Sequence, residues 1–146
     1  MPRTILVGFD DSQPALRALQ RAIGEAQPGD HLVVLVVAET PLDLVEPRSR
    51  GALVESADVP PLLPEPPEVT AALAHAREVL ARAGLSGDLD WVFGDAAAAI
   101  VDVARIRAAD LIVVGERHHG LLGRLFGEDA AGGVRRLAGC EVIAVA

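Results

Sequence analysis

Ala109-Asp110-Leu111-Ile112-Val113-Val114-Gly115-Glu116-Arg117 decides the fold. An acid leads into four consecutive branched aliphatic residues and a glycine ends the run, which predicts a short strand buried on both faces and closed by a turn. A strand covered on both faces needs helices on each side of its sheet, so the flanking segments must supply them.

They do. Before it, Leu89, Trp91 and Phe93 alternate as in a strand, and Gly94-Asp95 opens a helix running through Ile100, Val103 and Ala104. Farther upstream, Glu68 to Ala83 places Val69, Leu73, Ala76 and Leu80 on one helical face and stops at Gly84, a C-terminal cap. Leu32 to Ala38 is an unbroken apolar run after the turn Pro28-Gly29-Asp30. Ile5 to Phe9 gives a first strand, followed by Ser12 as helix cap, Pro14 in the first turn, and Leu16, Leu19 and Ile23 at helical spacing. Beyond Gly115 a glycine-rich loop leads to a helix expected from Glu128 to Ala138 and a last strand from Val142 to Ala146. Five strands alternating with four helices predict an α/β fold with a parallel sheet, since parallel neighbours need right-handed crossovers. One domain is expected over residues 1–146, with Glu39 to Pro67 forming a Pro-rich acidic surface loop.

Composition narrows the function. The net charge is -8, and all 13 basic residues are Arg. An acidic chain without a basic patch is no nucleic-acid binder. With no Lys there is neither Schiff-base chemistry nor a P-loop lysine. Cys140 is the single cysteine, which leaves no intrachain disulfide and suits a reducing cytosol. Ile5 to Phe9 is too short for a signal-peptide core and no apolar stretch approaches the ~20 residues of a membrane span, so neither a membrane partner nor export is expected and the cytoplasm is the expected compartment. No G-x-S-x-G, P-loop or H-E-x-x-H pattern occurs and there is no Tyr, so no catalytic residue is expected. His118 and His119 lack a third ligand at recognisable spacing, so no metal is expected.

Three segments together resemble the universal stress protein family: Ile5-Leu6-Val7-Gly8-Phe9-Asp10-Asp11-Ser12, Gly94-Asp95 opening a helix, and Ala109 to Arg117. The resemblance implies a Rossmann-like, adenine nucleotide α-hydrolase-like domain with strand order 3-2-1-4-5, dimeric through its final strand and acting under stress. It implies a nucleotide cleft at the ends of the first and fourth strands, involving Gly8, Phe9, Asp10, Val37 and Gly115, then Arg117, His118, Glu128 and Asp129 in the following loop. In such open sheets ligands sit beyond the carboxyl ends of the strands where the order reverses. Asp10 lies where the family approaches a nucleotide's sugar, and it equally suits a cap on its own loop. Val37 lies where the family meets adenine through main chain. Gly94 and Asp95 read as a turn and an N-cap.

ATP-binding members carry G-x2-G-x9-G-[S/T] after the fourth strand, where backbone N–H groups and a helix N-terminus hold the phosphates. Counted from Gly115 without gaps, His118 replaces the second glycine and Glu128-Asp129 the final pair. Val134, Ala138 and Cys140 support this register downstream. A rival register through Gly120, Gly123 and Gly133 starts five residues past the strand and leaves too little helix, and one through Gly127 still puts Glu128 in place of the hydroxyl. Two acids where phosphates would lie repel them, while unliganded they complement a helix dipole. Arg117, His118, His119 and Arg124 offer a counter-attraction or a solvated loop.

The expected function is therefore that of a dimeric, non-enzymatic stress-response protein whose ATP binding is lost or weakened, with no cofactor expected. The alternative is an adenine-nucleotide module holding AMP, ATP or a cyclic nucleotide between the first and fourth strands. The partner strand of the homodimer would be Val142, Ile143, Ala144 and Val145, an apolar edge that needs a cover.

Overall fold

Branched aliphatic runs form the inner strands of the sheet, while the edge strand Asp88–Phe93 alternates acidic and apolar residues before its aromatic end. The computed structural model describes residues 2–39, 64–116 and 130–146. Within them β1 (Thr4–Gly8), α1 (Gln13–Glu25), β2 (His31–Ala38), α2 (Pro67–Arg82), β3 (Asp88–Phe93), α3 (Ala96–Ile106), β4 (Leu111–Gly115), α4 (Ala130–Leu137) and β5 (Glu141–Val145) follow in order. All four pairings are parallel and the order is β3-β2-β1-β4-β5, as the resemblance implied.

Alternation along β1 divides the core. Ile5, Val7 and Phe9 face α1 and α2, meeting Leu19, Ala22, Val69 and Ala76. Leu6 faces the opposite layer with Leu35, Ile112 and Val114, against Ile100 and Val101 of α3 and Val134 of α4. The sequence has few aromatics, so the layers are filled by Ala, Val, Leu and Ile, each large one contributing roughly 1.5–3 kcal/mol when fully buried. Ser12 Oγ accepts from the Ala15 N–H at 3.3 Å to start α1. At the end of α2, Gly84 takes a left-handed φ of 72°, the cap conformation expected from the sequence.

The helix expected from Glu128 appears from Ala130, and Glu128 and Asp129 lie outside the described residues, as do residues 40–63 of the expected loop. No described helix is long and apolar enough to cross a membrane.

Candidate functional site

Where β1 and β4 lie side by side, α1 leaves one face and α3 packs on the other, so their carboxyl ends open a cleft of about 450 Å³. Gly8, Phe9 and Asp10 close one wall; Val114 and Gly115 lie beside them. From β2 come Leu35 and Val37, whose spacing of two points them to one face, and Glu39 follows just past its end. Gly94, Asp95 and Ala96 form the third side, with Ile100 and Ala130 behind. The sequence-derived residues Gly8, Phe9, Asp10, Val37 and Gly115 are thus brought together, while Arg117, His118, Glu128 and Asp129 lie outside the described residues.

Both roles foreseen for Asp10 are compatible: it lines the cleft while its Oδ1 accepts from the Ser12 N–H at 3.1 Å. Asp95 also does double duty, since its carboxylate accepts from the Ala98 N–H at 3.0 Å as the cap of α3 and borders the cleft. Gly115 is small for a different reason from the one the resemblance suggests. A Cβ there would lie 2.5 Å from the Pro14 carbonyl carbon and 2.6 Å from the Ala15 nitrogen, so the glycine lets α1 begin against β4. Gly133 is likewise spoken for: inside α4, its Cβ would lie 2.6 Å from that of Ala97 on α3, which excludes the phosphate role of the rival register.

Charge is the cleft's decisive property. Among the described lining residues the ionisable ones are Asp10, Glu39 and Asp95, all carboxylates. Cys140 offers no reactive thiolate, because burial pushes its thiol up and the neighbouring Asp110 and Glu141 add to the effect. Among the described residues no cluster of three His, Cys, Asp or Glu could hold a metal.

Sequence reading missed Glu39 and Ile100 as cleft residues, read Ser12 as a helix cap in a plausible cleft, and missed one pair beside the cleft. His75 Nδ1 lies 2.5 Å from Asp11 Oδ1, joining α2 to the loop after β1. A contact across 64 positions leaves no local pattern to read.

The model of the universal stress protein family matches residues 1–146. The chain belongs to the universal stress protein family. Solved structures share the fold. A universal stress protein in complex with cAMP has a TM-score of 0.70 at 24% identity, covering 99% of this chain and 96% of that one. A family member from Burkholderia pseudomallei gives 0.62 at 25% identity, covering 98% and 95%. One from Arabidopsis thaliana with AMP bound gives 0.66 at 15% identity, covering 99% and 91%. Among curated proteins nothing matches. This universal stress protein therefore has the Rossmann-like α/β architecture of those structures, and its cleft, whose described ionisable lining is acidic, is set at the sheet position where the fold places ligands.

Proposed function

We propose that this universal stress protein is a non-enzymatic, homodimeric stress-response protein whose cleft disfavours ATP. One observation carries the reading: the described ionisable groups lining the cleft are carboxylates only. A carboxylate about 4 Å from a phosphate charge repels it by roughly 4 kcal/mol at an effective dielectric near 20, and solvent at the cleft mouth reduces this without changing its sign.

A second reading keeps a ligand of lower charge. A cleft near 450 Å³ lies within the range of small-molecule sites, and its apolar wall of Leu35, Val37 and Ile100 suits a flat ring. Relatives of the same fold have been solved with cAMP and with AMP. On this reading cAMP, with a single charge, binds better than AMP, with about two, and ATP binds worst.

Calorimetric titration with magnesium-ATP, AMP and cAMP separates these readings. Silence from all three supports a protein that acts through partners, and heat in the order cAMP, AMP, ATP supports the low-charge nucleotide module. Micromolar binding of magnesium-ATP would overturn the proposal that the cleft rejects polyphosphate.

A further inference from the structure

We propose that His75 is a positioning residue for the cleft, holding Asp11 and through it the loop that presents Asp10 and Ser12 to the ligand space. This rests on the reading of the cleft as a ligand site, and it concerns residues outside the cleft lining.

Asp11 has a φ of 64°, in the left-handed region that non-glycine residues seldom occupy. Such a conformation lasts only where the surroundings fix it. Two contacts do so here. Asp10 Oδ1 accepts from the Ser12 N–H at 3.1 Å, closing the loop on itself, and Asp11 Oδ1 lies 2.5 Å from His75 Nδ1, anchoring the loop to α2. The second ties the loop to α2, while Ser12 joins it to α1 by accepting from the Leu16 N–H at 2.9 Å and the Ala15 N–H at 3.3 Å.

His75 also touches the cleft by another path. Its ring meets Phe9 edge-on, with centroids 6.4 Å apart and planes at 71°. Phe9 is 3% exposed and borders the cleft. The residues on either side of Asp11, Asp10 and Ser12, border it too. A single imidazole on α2 therefore braces the first wall of the cleft at its strand end and at its loop. His75 lies on α2 between the buried residues Ala72 and Ala76, with its own side chain partly exposed.

Amide hydrogen exchange on the full chain tests this without any ligand. In His75→Ala the Ser12 amide should exchange about tenfold faster than in wild type, because one charge-assisted bond to the loop is gone. The α2 amides should keep their protection. His75→Asn, whose side-chain amide can donate from nearly the Nδ1 position, should restore slow exchange. Asp11→Gly removes the acceptor while suiting the left-handed φ, so it checks the result should the alanine variant misfold; it should loosen Ser12 equally. Wild-type exchange at Ser12 in both His75→Ala and Asp11→Gly overturns the proposal. If cAMP binds the wild type, His75→Ala should weaken it about tenfold and His75→Asn restore it; unchanged affinity overturns the positioning role. If cAMP does not bind the wild type, the low-charge nucleotide reading falls while exchange at Ser12 still decides the brace.

Discussion

Gly115 shows how a residue can be placed from the sequence while its packing role stays hidden. Its position after an apolar strand marks the end of β4 at the cleft, as the sequence indicated. Its lack of a side chain, though, answers the backbone of Pro14 and Ala15, with approaches of 2.5 and 2.6 Å to any added Cβ. No pattern within β4 carries that information, because α1 arrives from a hundred positions away along the chain. The two causes predict different losses. Gly115→Ala should destabilise the fold by roughly 1–3 kcal/mol, since backbone must move to admit a methyl group. Gly8→Ala meets Ile100 Cδ1 at 2.8 Å, the end of a side chain that can turn away, and should cost less. Urea unfolding of the two variants checks the order; equal stability of Gly115→Ala and wild type would return Gly115 to a purely ligand-facing role. At the same scale, Asp10 was legible because an acid directly after a strand closes its loop and borders the cleft, whereas Asp11 and His75 were not, since neither gains meaning until α2 is folded beside β1.

Elements were more legible than their joints. Every helix start carrying a cap residue in the sequence is a start in the structure: Ser12 caps α1 and Asp95 caps α3. Branched aliphatic runs became strands because strands buried on both faces need little else. What joins the elements is less visible. Asp30 reads as the end of a turn, yet its Oδ1 accepts from the Arg3 N–H at 2.9 Å and its Oδ2 from the Gln27 N–H at 3.0 Å, pinning the entry of β1 to the turn before β2. Those two backbone donors, first Arg3 and then Gln27, hold its carboxyl below the ordinary value near 3.8, with the Arg3 charge adding to them. A carboxylate with a lowered folded-state pKa contributes stability that is present above the unfolded value and is lost as pH falls through the folded one. The stability gap between wild type and Asp30→Asn should therefore be full at neutral pH and shrink as the pH drops below about 3.8. Paired urea midpoints at descending pH measure it, and a gap that stays constant into strong acid would mean that Asp30 acts through shape alone. Asp88 is lowered too, first by its hydrogen bond from His31 and then by Arg107, but it is common to both proteins and cancels in the comparison.

The two edges of the sheet bear on how the proposed dimer would form. Among the described residues no further strand pairs with the outer side of either edge strand, and an open edge invites another strand. β3 defends itself: it carries Asp88 and Asp90, and the Asp90 Oδ1 accepts from the Trp91 N–H at 2.9 Å, occupying an outward donor. Among the described residues β5 shows no such defence. After Glu141 it is apolar to its end, and Val142, Ile143, Ala144 and Val145 remain half-buried in the single chain. The Val145 carbonyl accepts from the Glu116 N–H at 2.6 Å, so it points inward to the β4 side; by alternation Val142 and Ala144 turn their backbone groups outward. A second copy related by a two-fold axis would meet those groups with its own β5. Each chain carries a net charge of -8, so pairing brings like charges together and should tighten as salt screens them. Proline at Ala144 removes one outward donor and leaves the inward bonds to β4 in place. Light scattering should give twice the 15.2 kDa chain mass for wild type and a single chain mass for Ala144→Pro, with far-ultraviolet circular dichroism unchanged. Ile143→Asp, which puts a charge into the same strand, should also separate the copies. A wild-type protein of single-chain mass, or a proline variant that keeps the double mass, would remove β5 as the interface.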